Sequence, residues 1–204
     1  MDFTYTETQD MIRDTLARFL GDTYDFETRQ KFINSDSGRD PAIWTALAQE
    51  LGMLGAPFAE EYGGLGGGAL ENAIVMEELG KVIGIEPYLP TVVIAGGALK
   101  AVGGAQADAM IPEIIAGNAI IAFAYAEPQG RYDLANLRTT ARKDGSGYVL
   151  SGHKSVVYAA PWATHLLVTA RTGGNARDRD GVSLFLIDAN LTGIVRRDYP
   201  TVDG

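Results

Sequence analysis

An α+β chain is predicted, with a helical first half and a strand-rich second half, on three observations. Up to Gly117 apolar residues recur at helical spacing, and beyond it they fall in short alternating runs. Glycine, proline and capping residues mark the ends of these segments. Helices come first and strands after, without βαβ alternation, which indicates two segregated layers or domains, residues 1–117 and 118–204.

The first helix is predicted from a capping box of Thr6 and Gln9 ahead of Met11, Ile12, Leu16, Phe19 and Leu20, stopping at Gly21. A short helix follows over Phe26–Asn34. Asp40 and Pro41 supply an N-cap and an N1 proline for the stripe Ile43, Trp44, Leu47 and Leu51, closed by Gly52. Ala69–Ile83 is expected to turn Leu70, Ile74, Val75, Leu79 and Val82 to one side. Thr91 is a candidate cap for Val92–Val102, weakened by Gly96 and Gly97. A last helix near Ala105–Ala116 contains Pro112 and ends at Gly117. Strands are then predicted over Ile120–Ala126, Arg138–Lys143, Tyr148–Tyr158, His165–Arg171 and Val182–Asp188. Asp144-Gly145 and Ser146-Gly147 have hairpin-turn chemistry, and Gly173–Asp180 is a polar loop.

Composition narrows the chemistry. The 204 residues include no cysteine and two histidines, His153 and His165, which excludes thiolate chemistry and makes a zinc cage improbable. The longest apolar-rich run, Ile114–Ala126, is too short for a bilayer, and the acidic N-terminus is not a secretory signal, so a cytoplasmic location is expected, with no membrane partner. A net charge of −9 argues against nucleic acid. The acidity lies in residues 1–117, with 7 Lys/Arg against 18 Asp/Glu, while residues 118–204 carry 10 against 8. A polyanionic ligand meets less repulsion over the second half, although a solvated acidic helical surface accounts for the first half equally well.

The glycine run Gly63–Gly68 is no phosphate loop: no strand precedes it and no Gly-Lys-Ser/Thr follows. Its better reading is a connection that lets helices approach closely. The stretch Leu51–Gly66, with Pro57, Glu60-Glu61 and Gly63-Gly64, resembles the helix-to-loop signature of acyl-CoA dehydrogenases. Ala126-Glu127-Pro128 with Asp133-Leu134, and Gly152-His153-Lys154-Ser155-Val156-Val157-Tyr158, resemble two further segments of that family. The resemblance covers essentially the whole chain. The mix of Arg131–Leu134, Gly64–Gly68, Glu86–Leu89 and Tyr199–Gly204 is most similar to small subunits of heteromeric enzymes of the pimeloyl-CoA dehydrogenase type.

The resemblance implies an N-terminal helical domain and an antiparallel, barrel-like β middle domain, with the family's C-terminal helical domain absent. It implies FAD, held weakly or shared with a partner subunit, and cofactor-binding positions Phe123, Tyr125, Ala126, Val156 and Tyr158. Three of these depart from the family pattern: Ala126 stands for a threonine, Val156 for a tryptophan and Tyr158 for a threonine. Arg131 and Tyr132 replace a Gly-Ser pair and, with Tyr88 and Val92, are the implied substrate-binding positions; Val93 and Gly96 share the matching helix. In relatives the base is a glutamate of the C-terminal domain, so no catalytic residue and no metal ligand is assigned here. The implied function is α,β-dehydrogenation of an acyl-CoA thioester by an assembly of this chain with a large subunit or with itself. The alternative is a non-catalytic scaffold of the same fold. A β domain ending near Val202 is expected to leave an open strand edge and to self-associate.

His153 and His165 read as ordinary turn and strand residues rather than bases, and Glu127 and Asp133 as turn-forming residues. Arg131, Arg138, Arg142, Lys143 and Lys154 read as solvated charges in preference to phosphate contacts.

Overall fold

The computed structural model describes residues 4–201. The expectations placed on Val202–Gly204 lie outside the described residues. Two compact units are present, one helical and ending at Ala119, the other comprising Ile120–Asp198; Tyr199–Thr201 group with the first.

In the helical unit, α1 (Glu7–Thr23) starts at the predicted capping box, with Gln9 N donating to Thr6 Oγ1 and Thr6 N to Gln9 Oε1. Ile12, Leu16 and Leu20 are buried at a spacing of four, while Met11 is exposed. The helix passes Gly21, because one more turn brings Tyr24 to the cap position and into the core. α2 (Phe26–Ile33) is capped by Asp25, whose carboxylate accepts from Thr28 N at 2.7 Å. α3 (Pro41–Thr45) carries the expected Asp40 cap and runs on as a π-helical turn over Ala46–Glu50. Gly52 then reverses the chain at φ 66°, in the left-handed region that favours glycine.

α4 (Ala69–Lys81) buries Ile74, Val75 and Leu79, but Leu70 is exposed and does not join the stripe. Glu71 is the reason its N-terminus is satisfied: Oε2 accepts from Gly68 N and Oε1 from Gln9 Nε2, which ties α1 to α4. The next helix begins earlier than predicted. A π-helical segment, Leu89–Gly96, leads into α5 (Gly97–Val102), so Thr91 lies inside it, fully buried, and is not a cap; Pro90 occupies the first turn instead. α6 (Ala105–Ile115) ends at Gly117, φ 78°, whose carbonyl accepts from Trp44 Nε1.

The second unit holds β1 (Ile121–Ala124), β2 (Thr140–Asp144), β3 (Gly147–Ser151), β4 (His165–Arg171) and β5 (Val182–Asp188). The segregation of helices from strands holds, but the sheet is mixed rather than antiparallel, and it is not closed into a barrel among the described residues. β4 pairs β5 antiparallel along its whole length and β1 parallel over Ile121↔His165 to Ala124↔Val168. The forty-residue excursion between β1 and β4 contains the β2–β3 hairpin, and that length is what permits a parallel pairing. Alternation sorts the faces. Ala122, Ala124, Leu166 and Val168 pack in one core with Ala163 and Ala189, with Leu150, Val157 and Ile187 against it.

The strand expected over Tyr148–Tyr158 stops at Ser151. Its partner β2 goes no further than Thr140, because the preceding amides of Arg138 and Thr139 are already taken by the Glu127 carboxylate. Beyond it, Val156 at φ 53° and Ala159 at φ 62° are left-handed, a conformation no strand contains.

Candidate functional site

Glu127 anchors the loop rim of the β unit. Its side chain is 2% exposed and collects four donors: Arg138 N at 2.7 Å, Thr139 N at 3.0 Å, Gln129 Nε2 at 2.7 Å and Lys154 Nζ at 2.9 Å. Burial pushes this carboxyl up, but the hydrogen bonds from Thr139, Lys154, Arg138 and Gln129 outweigh it and hold it at about 2. The Lys154 ammonium is pulled down by burial against the opposing pull of Glu127. It also donates to Thr169 Oγ1 at 2.9 Å on β4 and to Tyr125 O at 3.4 Å. Lys154 is therefore a largely buried structural cation, its side chain 11% exposed, not the solvated charge expected from sequence. Arg131, Arg138, Arg142 and Lys143 are exposed.

This network brings the two segments singled out by sequence together. Ser155 N donates to Ala126 O at 2.9 Å, one residue from the Lys154–Glu127 pair on each strand of chain. Tyr125 and Ala126 are half-buried next to Glu127, and the Phe123 and Tyr125 rings lie 5.4 Å apart, tilted by 50°. Val156 and Tyr158 are 51% and 56% exposed on the opposing segment. A flavin ring would find here one aromatic face with a hydroxyl at Tyr158, a small branched side chain at Val156 and no side-chain hydrogen-bonding group at Ala126. The fit is partial.

Arg131 and Tyr132 stand apart at a loop tip. Tyr132 is wholly exposed, and Arg131 is left-handed at φ 49°. Asp133 serves its own turn: its carboxylate accepts from Ala135 N. The loop is held from below by Arg171, a residue that sequence reasoning passed over. Its buried guanidinium donates to the carbonyls of Ala135, Gly173, Ala176, Asp178 and Asp180, clamping two loops at the end of β4. The available signal was an arginine closing a mostly apolar strand, followed by a polar loop rich in backbone acceptors.

The other predicted positions, Tyr88 and Val92, belong to the helical unit. Tyr88 is fully buried, and its hydroxyl, whose pKa burial raises, donates to Asn72 Oδ1 at 3.0 Å. Asn72 and Val92 both line an open cleft of about 180 Å³ with Phe58, Ala69, Gly97 and Lys100. Gly96 is buried behind it, where a Cβ would come within 2.6 Å of the Phe58 ring. Val93 is half-buried and outside the lining. His153 is exposed, and His165 Nδ1 shares a hydrogen bond with Thr164 Oγ1. Among the described residues no helix is long and apolar enough to cross a membrane.

A helical unit, a mixed sheet and this rim define the class, and comparison with known proteins gives it a family. Residues 6–118 match the acyl-CoA dehydrogenase N-terminal domain and residues 122–204 the acyl-CoA dehydrogenase middle domain. The chain belongs to the acyl-CoA dehydrogenase family. It is 36% identical over 182 residues to acyl-CoA dehydrogenase FadE29 of Mycobacterium tuberculosis, covering 82% of this chain and 46% of that protein. A probable acyl-CoA dehydrogenase of Bacillus subtilis, YngJ, is 28% identical over 197 residues, 95% of this chain and 51% of its own length. The chain thus spans about half the length of these curated relatives. Among solved structures, the ChsE4-ChsE5 complex from Mycobacterium tuberculosis superposes with a TM-score of 0.79 at 28% identity, covering 96% of this chain and 50% of the matched one. An FAD complex of PigA superposes at 0.80 with 28% identity, over 92% of this chain and 49% of its own.

Proposed function

We propose that this chain is a small subunit, or part of one, in a heteromeric FAD-dependent acyl-CoA dehydrogenase that introduces an α,β double bond into an acyl-CoA thioester. Residues 1–117 act as its helical domain and 118–204 as its β domain, in the cytoplasm. The observation that carries the reading is the rim around Glu127. The Ser155–Ala126 hydrogen bond sets Ala126 and Val156 on adjoining segments, and neither side chain can stack on or hydrogen-bond a flavin ring. Membership of the family and the likeness to a two-component complex support a shared site.

In that site the flavin, when bound, supplies the hydride acceptor. Phe123, Tyr125, Ala126, Val156 and Tyr158 form this chain's side of its pocket, with Tyr158 giving the ring contact and hydroxyl. By the family resemblance, Tyr88 and Val92 in the helical unit and Arg131 and Tyr132 in the β unit are each assigned to the substrate; Tyr88 fixes Asn72, and Val92 lines the cleft of its own unit. Glu127 and Lys154 hold the two rim segments in place and touch no reactant. The sequence resemblance to small subunits of the pimeloyl-CoA dehydrogenase type sets the substrate class as an acyl-CoA thioester.

Co-expression with a large acyl-CoA dehydrogenase subunit tests this. The expected result is a yellow complex that reduces an electron-acceptor dye with acyl-CoA, and a colourless small chain when purified alone. Stoichiometric flavin on this chain by itself would refute the shared site. An active assembly that is indifferent to its removal would assign it a scaffolding role instead.

A further inference from the structure

The connection Val82–Tyr88, between α4 and the helix that lines the cleft, is held by groups from other elements. Arg29 of α2 donates from Nε to Ile83 O at 2.8 Å, and Ile85 N donates to the hydroxyl of Tyr24 at the end of α1 at 3.1 Å. Ile83 is left-handed at φ 53° and 54% exposed, a strained backbone for a β-branched residue. Three residues later Glu86 is 7% exposed, and neither carboxyl oxygen has a hydrogen-bond partner. The charged and titratable groups that face it are Arg39 and Asp40 from the turn before α3, and Tyr24, which in turn feels the charge of Arg29. An ionised carboxylate in such a position, without a single hydrogen bond, is strongly disfavoured, whereas a neutral acid is tolerated.

We propose that the Val82–Tyr88 connection is a protonation-controlled latch on the cleft of the helical unit, closed while Glu86 is neutral and released when Glu86 loses its proton to solvent. The strained Ile83 is the hinge. Released, the carboxylate turns outward to water, and the left-handed residue relaxes. Tyr88, two residues on, is then drawn from Asn72 on the cleft wall, so that the state of Glu86 is passed to the lining residues Asn72 and Val92.

Burial raises this carboxyl to about 7, with Arg39 opposing and Asp40 reinforcing the rise. The folded value lies above the ordinary 4.5. Closure is therefore fully favoured below the ordinary carboxylate range and lost as pH rises through about 7.

Hydrogen–deuterium exchange on the full chain tests the latch, with rates corrected for the intrinsic pH dependence. In the wild type, peptides spanning residues 83–96 should lose roughly tenfold or more of their protection between about pH 5.5 and about pH 8.5. Glu86→Gln, which stays neutral, should keep it at both. Equal protection at the two pH values in the wild type, or the same loss in Glu86→Gln, overturns the proposal. Should that variant not fold, carbon-13 NMR of the wild-type Glu86 carboxyl decides: a midpoint near 7 supports the latch, and one in the ordinary carboxylate range overturns it.

Discussion

Arg171 and Ala135, thirty-six residues apart, are joined by a 2.7 Å hydrogen bond from Nη2 to the Ala135 carbonyl. That bond ties the last residue of β4 to the loop bearing Arg131 and Tyr132. The same guanidinium reaches four more carbonyls in the 173–180 loop, so one planar cation organises two irregular segments.

Arg171→Met should destabilise the β unit by about 3 kcal/mol or more, because several inward-facing carbonyls lose their donor together. Arg171→Lys should recover little, since an ammonium cannot span the same set of acceptors. Urea unfolding measures both. A lysine variant as stable as the wild type would show that only the charge matters.

The pair of Glu127 and Lys154 makes a second test. Glu127→Gln leaves Lys154 buried without its counter-charge and should cost about 3–5 kcal/mol. The acid limb of stability follows from the sign of the shift. The folded carboxyl sits at about 2, below its ordinary 4.5, so its stabilisation is present above the ordinary value and is lost as pH falls through about 2. Thermal unfolding across the acid range should show a decline in the wild type that is much shallower in Glu127→Gln.

Left-handed backbone at Arg131 and Val156 is sterically unfavourable for both side chains, most of all for the β-branched valine. Arg131→Gly and Val156→Asn should each raise stability by about 1 kcal/mol, read from denaturant midpoints. If either lowers it, the native side chain makes a compensating contact in the folded chain.

A methyl group at Gly64 would run into the carbonyl of Phe58 and come within 2.8 Å of that of Gly55. Both are rigid backbone, so Gly64→Ala should destabilise the helical unit by about 3 kcal/mol, in the range of severe overpacking. Gly63→Ala, where nothing lies within 4 Å of the added carbon, meets only the cost of its φ of 86° and should lose less. Circular dichroism melts of the two variants rank them, and a reversed order would contradict the packing account.

Rim chemistry can be rebuilt as a gain-of-function test. Ala126→Thr, Val156→Trp and Tyr158→Thr together restore the hydroxyls and ring of the family pattern. The triple variant should retain flavin through gel filtration better than the wild type, as seen in the protein-to-flavin absorbance ratio. No gain would mean that the deficit lies outside these three positions.

Much of the architecture was legible because it is local chemistry. The Thr6–Gln9 box, the Asp40–Pro41 start, the reversal at Gly52 and the stop at Gly117 are all set within a few residues of chain, and each is found where the spacing put it. Errors fall where a helix starts off its apparent cap or where a distant group intervenes. Thr91 looks like a cap, yet helix geometry begins at Leu89 and buries it. The segment after Ser151 alternates like a strand, yet Glu127 occupies the amides its partner would need.

The candidate site divides in the same way. Sequence alone determined the order of helices before strands, the family of the fold, and which side chains at positions 126, 156 and 158 are missing their usual groups, since these depend only on residue identity and short-range pattern. Tertiary structure decided that Lys154 is a largely buried partner of Glu127, that Arg171 clamps two loops and that the Glu86 carboxyl lies buried without a hydrogen bond. Burial and pairing of a charge depend on which segments meet in space, and segments tens of residues apart meet only after the chain has folded.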